Sequence, residues 1–391
     1  MMRAAAAIVG TGESRIGVVP DRTSMELIAD AAAQALENAG LTFKDVDGLL
    51  TTPSRVEGWP MPCVVVADAL GLKPSYFATV DVAGASGTSM IHQAAMAVAT
   101  GACSTVLCVA GQSLLSGMSR GGAIASMATR GSAAHAELEQ PLGPPIPALY
   151  ALVAQRHMHE YGTTHEQMAQ VAVEMRRNAG LNPNAHMREP ITVEDVINAP
   201  MITSPLGRLD CSLVSDGAGA VIVTTPERAR NLNGQPVWLL GAGYGLGHAW
   251  VGDSGSLTTT AAVASGADAY RGASISPSDI DFACLYDCFT ITVIAELEDL
   301  GFCPKGEGGA FVESGGIARS GILPVNPHGG LLSAGHSGVP AGIFHVIEAA
   351  RQIRQEGGDR QLERVSTALV HGNGGIIGVH CSLILGGADA L

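Results

Sequence analysis

Apolar positions along the chain fall in short runs broken by glycine-rich segments. Ala4 to Val9 is a continuous apolar run of strand length. From Ser24 to Asn38 the apolar residues Met25, Leu27, Ile28, Ala31, Ala35 and Leu36 recur at helical spacing, which predicts a capped amphipathic helix. Tyr76–Val82 and Thr105–Ala110 predict interior strands on either side of a small-residue helix over Thr88–Ala99. Further strands are expected at Ala218–Thr224, Val237–Gly241, Phe282–Tyr286, Thr367–His371 and Val379–Leu385, with an amphipathic helix over Ile291–Leu300. Strands alternating with helices indicate an α/β fold.

The pattern repeats. Ala35 to Asp47 aligns without gaps on Ala269 to Asp281, each a helix end, a turn and the start of a strand. Gly84-Ala85-Ser86-Gly87 aligns on Gly335-His336-Ser337-Gly338, each placed before a small-residue helix. Two matches in the same order predict related halves, 1–232 and 233–391. The stretch from about 112 to 206 has no counterpart in the second half and reads as an insertion, either a lid or binding loop or a peripheral packing domain.

Composition narrows the classes. The chain has 391 residues, 47% of them hydrophobic and only 15% charged, enough for a large core and more than one unit. A formal net charge of -14 without a long basic run argues against a nucleic-acid partner. Eight cysteines lack the paired spacing of zinc sites and the density of a disulfide framework, so no metal is expected and the compartment is read as the cytoplasm. No apolar stretch is long enough to span a membrane, and the N-terminal apolar run is too short for a secretory signal.

Candidate chemistry gathers in the glycine-rich turns. A short turn that opens a helix gathers backbone N–H groups where an anion or a developing oxyanion is favoured, and both aligned elbows have that form. His336 sits within the second, where an imidazole can hold a proton near neutral pH. Tyr286-Asp287-Cys288-Phe289 follows an apolar strand, at the end where open α/β sheets place ligands. Tyr286 and Cys288 read either as proton-transfer groups or as packing in a half-buried turn. Asn326-Pro327-His328-Gly329-Gly330 and His371-Gly372-Asn373-Gly374-Gly375 are polar glycine-rich loops, either plain turns or ligand contacts. Several motifs fail. Gly10-Thr11-Gly12 lacks the third glycine of a dinucleotide fingerprint, because position 15 is Arg15, and neither elbow is Gly-x-Ser-x-Gly.

Together these residues resemble the sterol-carrier-protein type of thiolase over essentially the whole chain. In that family the first elbow reads Cys-Ala-Ser-Gly, the strand-end turn His-Asp-Cys-Phe and the second elbow Gly-His-Pro. The resemblance implies a duplicated five-layered α/β/α/β/α thiolase fold and a two-fold homodimer. It makes Tyr286, Asp287, Cys288 and His336 the catalytic candidates. Gly84, Asn326 and Gly375 are candidates for oxyanion binding or positioning, and Ser86, His328 and Ser337 for substrate contacts. Gly84 stands where the family has its nucleophilic cysteine, Tyr286 where it has histidine and Ser337 where it has proline.

A glycine cannot form an acyl-enzyme. The turn Tyr286-Asp287 resembles thiolase-like aldolases of steroid side-chain degradation, which cleave a β-hydroxyacyl-CoA and work with an OB-fold, zinc-ribbon partner protein. The expectation is therefore a retro-aldol enzyme with a coenzyme A thioester as substrate and no permanently bound cofactor. An acyltransferase acting on β-ketoacyl-CoA and a non-catalytic acyl-CoA-binding or scaffold subunit are the alternatives.

Overall fold

The computed structural model describes residues 3–118, 137–363 and 365–390. Part of the expected insertion, 119–136, lies outside the described residues. Eleven strands form: β1 Ala7–Glu13, β2 Gly48–Thr51, β3 Tyr76–Thr79, β4 Thr105–Ser113, β5 Met201–Thr203, β6 Leu206–Gly207, β7 Asp216–Thr224, β8 Val237–Leu246, β9 Phe282–Cys284, β10 Thr367–Gly374 and β11 Val379–Gly386. Nine belong to one mixed sheet, ordered β3-β2-β4-β7-β1-β8-β11-β10-β9, and β5 and β6 pair separately.

That order is nearly a palindrome about the β1–β8 junction. On one side β2 and β4 are parallel, followed by antiparallel β4–β7 and β7–β1 pairs. On the other, β9 and β10 are parallel, followed by antiparallel β10–β11 and β11–β8 pairs. The two runs join through the β1–β8 pairs Ala7 with Trp238 and Ile8 with Val237, extended by backbone bonds between Leu239 and both Ala4 and Ala6. The helix Ser24–Ala39 covers β1, β7 and β4, and Ala262–Ala273 covers β8 and β11. Between the runs, helices Ser86–Ala99 and Gly342–Ile353 pack on each other and each touches strands of both. The five expected layers are present, with the two sheets hydrogen-bonded edge to edge into one.

Aligned residues make aligned contacts. The Thr42 amide bonds the Asp45 carboxylate at 2.9 Å, and the Ser276 amide bonds that of Asp279 at 2.8 Å, capping the same short turn. Asp47 then accepts the Thr105 amide at 2.7 Å at the start of β4, as Asp281 accepts that of Thr367 at 2.9 Å at the start of β10.

Several boundaries differ from expectation. β1 runs past the expected end at Val9 through Gly10 and Gly12, where the helix above lies against the strand. A Cβ there would stand 2.2 Å from the carbonyl oxygens of Ala35 and Ala31. The short strand β2 was not singled out. β9 ends at Cys284, short of Tyr286, because side chains replace its ladder. The Leu285 amide bonds Asn326 Oδ1 at 2.8 Å and the Tyr286 amide bonds Glu296 Oε2 at 3.1 Å. Those bonds release the chain from the sheet and turn Tyr286 inward.

Candidate active site

Tyr286 is almost wholly buried, and its hydroxyl lies 3.2 Å from His336 Nε2. The two rings meet edge to face. Burial raises the phenol well above its ordinary pKa, reinforced by Cys288, Asp287 and Glu296 nearby. His336 keeps a partly exposed edge, while its Nδ1 is buried without a hydrogen-bond partner. Burial pushes its imidazole down to about 4, opposed by the Leu213 backbone. Both members of the pair therefore rest uncharged at neutral pH, and a proton can pass between them without leaving the site.

The second elbow departs from the expected turn that opens a helix. Gly335 and Gly338 take φ of 155° and 80°, and a short 3-10 turn at Val339–Ala341 precedes the helix at Gly342. His336 is held instead by Ser215, which exchanges backbone bonds with it through Oγ at 3.3 Å and N–H at 2.9 Å. Ser337 is buried with a partnerless hydroxyl, and its carbonyl accepts from Gln112 Nε2 at 2.5 Å.

The first elbow does open a helix, at Ser86. The Ala85 and Ser86 amides bond the Val82 and Ala83 carbonyls, and Ser86 Oγ accepts the Val82 amide at 2.9 Å. These groups close the turn rather than face a ligand. Gly84 is in direct contact with Tyr286. A Cβ there would stand 2.2 Å from Tyr286 Cζ, 2.4 Å from its hydroxyl oxygen and 2.3 Å from the Asn373 carbonyl. The tyrosine ring occupies the space that any side chain at 84 requires.

Asp287 points the other way. Its oxygens accept the Leu331 amide at 2.8 Å and the Leu332 amide at 3.2 Å, fixing the turn Gly330–Ala334 that leads to the second elbow. Burial raises it to about 7 against those bonds. Asn326 uses both ends of its amide on Leu285, donating to the carbonyl at 2.9 Å as well as accepting its amide. Cys288 is buried and its thiol is raised by burial, with Tyr150 beside it. His328 is buried beneath the turn with neither ring nitrogen bonded. Gly375 lies at the exposed tip between β10 and β11, in the left-handed region at φ 67°, where its carbonyl accepts the Tyr150 hydroxyl at 3.0 Å.

Sequence reasoning did not single out Tyr150 or Glu296 as site residues, and marked Asn373 only as part of a glycine-rich loop that is either a plain turn or a ligand contact. Tyr150 comes from the insertion and stacks on Phe289 with ring centroids 4.3 Å apart. Glu296 is buried on a helix whose every residue is buried, and burial raises its carboxyl well above the usual range. Three acids, Glu296, Glu298 and Asp299, within the otherwise largely apolar Ile291–Leu300 were the available signal. The Asn373 side chain is buried near Glu296, its amide completing no hydrogen bond. Of the predicted residues, Gly84, Tyr286 and His336 converge directly, Asp287 and Asn326 support the turns, and Gly375 lies at the rim.

Residues 6–227 match the thiolase N-terminal domain family and residues 243–387 the thiolase C-terminal domain-like family. The chain is 35% identical to an acetyl-CoA acetyltransferase of Methanothermobacter thermautotrophicus, covering 96% of this chain and 98% of that one. It is 36% identical to a steroid side-chain-cleaving aldolase of Thermomonospora curvata, covering 90% of each. Among solved structures, the Ltp2-ChsH2(DUF35) aldolase superposes with a TM-score of 0.87 at 33% identity over 99% of both chains. By its fold and by both halves of its sequence, this chain belongs to the thiolase family.

Proposed function

We propose that the protein cleaves a β-hydroxyacyl-CoA by a retro-aldol reaction, without an acyl-enzyme. The observation that carries this reading is the contact between Gly84 and Tyr286. It leaves no room for a nucleophilic side chain at 84, and it sets a phenol against His336 Nε2 at 3.2 Å. Proton transfer and enolate stabilisation need no covalent intermediate.

In the proposed cycle the β-hydroxyl gives its proton to the Tyr286 oxygen as that phenol passes its own to His336 Nε2. The bond between the α- and β-carbons breaks, its electron pair moves into the thioester, and a ketone or aldehyde leaves. The enolate oxygen then faces an imidazolium, so the charges that burial disfavours singly arise as a pair. The α-carbon is reprotonated from His336 through Tyr286, or by the Cys288 thiol, which then recovers its proton from the His336 imidazolium, to give the shortened acyl-CoA. Asp287 and Asn326 act as positioning residues, and Ser86 closes the first elbow.

The same reading includes a partner of OB-fold and zinc-ribbon type, supported by a two-component aldolase as structural relative. It also includes a homodimer. The sheet edge β3 carries Phe77 at 53% exposure beside the exposed Val64, an apolar edge suited to a second copy. None of the helices among the described residues is long and apolar enough to cross a membrane, in keeping with a cytoplasmic acyl-CoA enzyme. The acetyltransferase relatives keep one other reading in view, CoA-dependent cleavage of a β-ketoacyl-CoA.

A panel of β-hydroxyacyl- and β-ketoacyl-CoA thioesters, with and without a co-expressed OB-fold protein, separates these. Release of a ketone or aldehyde with one shortened acyl-CoA and no consumption of free CoA supports the aldolase. Cleavage that requires free CoA supports the acyltransferase. Binding without turnover marks a scaffold subunit.

A further inference from the structure

Cys284, His328 and His345 lie just beneath the catalytic turn and take no part in the proposed reaction. Cys284 ends β9, His328 lies in the loop after Asn326, and His345 is on the central helix Gly342–Ile353. All three are buried, Cys284 and His345 at 0% exposure and His328 at 3%. The thiol sulfur and one ring nitrogen from each histidine lie within 4.8 Å of one another. The imidazoles stand nearly perpendicular, at 82°, with centroids 5.1 Å apart. Neither ring nitrogen of either histidine has a hydrogen-bond partner.

Buried polar groups without partners are exceptions that call for a cause, since each forfeits its hydrogen bonds to water with nothing in return. Here the unpartnered donors of two side chains converge with a thiol on one point. We propose that Cys284, His328 and His345 bind a zinc ion that ties together the elements carrying Tyr286, Asn326 and the helix after His336. One thiolate and two imidazoles suit zinc, whereas calcium and magnesium prefer oxygen donors. Tetrahedral zinc holds such ligands roughly 3.3–3.6 Å apart, reached from the observed spacing by small side-chain rotations. One carboxylate, that of Asp287, has its Oδ1 3.6 Å from His345 Nε2 and is the candidate for the fourth position. A closed position of this kind is structural, distinct from the proton-transfer pair above it. The ligands are far apart in sequence on three elements, so no short spacing announces them.

The test uses the full chain without a histidine tag, purified from zinc-supplemented medium and exchanged into buffer with a weak chelator. Elemental analysis is expected to find about one zinc per chain, as for a structural site. Cobalt substituted for zinc is expected to show a thiolate-to-metal charge-transfer band in the near ultraviolet. Cys284→Ser should lose that band, and Cys284→Ser with His345→Gln should lose the metal. Wild-type protein without stoichiometric zinc and without the cobalt band would overturn the proposal, as would full retention of zinc by the folded double variant. Since the wild-type measurements decide the question alone, a variant that fails to fold does not leave it open.

Discussion

At the scale of single residues, the contact between Gly84 and Tyr286 decides which chemistry the site admits. Each position departs from the residues that the thiolase resemblance led us to expect, and the structure explains the departures as a pair, because the ring fills the volume beside the glycine. Gly84→Ala should overpack the site, at a cost of about 1–3 kcal/mol, and push the phenol off His336. In a Tyr286→Ala background the same substitution should cost less, although the Asn373 carbonyl still crowds it. A double-mutant cycle by thermal and chemical unfolding measures this coupling, expected at roughly 0.5 kcal/mol or more. Strict additivity would mean that the two positions do not share the space. Sequence motifs revealed both residues, but not their contact, which joins a helix start to a strand end far along the chain.

At the scale of elements, the expected insertion meets the candidate site through the helix His165–Gly180. Asn178 Nδ2 donates to the Val325 carbonyl at 3.0 Å and to that of Asn326 at 3.2 Å, and just past the helix Asn182 Nδ2 donates to the His328 carbonyl at 3.0 Å. Asn178→Ala leaves those buried carbonyls short of a donor and should destabilise the fold by about 1–3 kcal/mol. By loosening the loop that holds Asn326, it should also lower kcat more than it raises KM. An unchanged melting temperature with unchanged kcat would remove the helix from the site's support. Helix and strand positions were readable where turns carry their own local chemistry, as at Thr42 with Asp45 and Ser276 with Asp279. Their ends differ where a strand runs on beneath a packed helix, as β1 does past Val9, or where side chains end a strand early, as at Leu285. The roles of Tyr150, Glu296 and Asn373 depend on burial that no local pattern encodes.

At the scale of the whole molecule, buried neutral histidines link stability to pH. Burial pushes His336 and His380 down to about 4 from an ordinary 6.5, and His371 well below it. The unfolded chain takes up these protons near pH 6.5, while the folded chain resists until about 4. The unfolded state therefore binds more protons in that window, and stability falls as pH drops through it. Thermal unfolding at a series of pH values should show a melting temperature that declines steeply below about 6. A flat profile down to about pH 4.5 would mean that these rings are solvated in the folded state. The duplicated architecture was legible from two aligned segments, because each copy repeats its capping contacts. The edge-to-edge joining of the sheets was not, because Ala7–Trp238 and Ile8–Val237 are pairings of plain apolar residues.

The claim on which the functional account rests is that the Tyr286 oxygen accepts the β-hydroxyl proton whose removal starts cleavage. Tyr286→Phe keeps the ring that fills the space beside Gly84 and removes only the oxygen 3.2 Å from His336 Nε2. Packing, melting temperature and affinity for the CoA thioester should be nearly unchanged. The rate of ketone or aldehyde release from a β-hydroxyacyl-CoA, measured beside the wild-type enzyme, is expected to fall by at least about 10²-fold, within the range of a positioned general base. Release at the wild-type rate in that variant would contradict the account and take Tyr286 out of the mechanism.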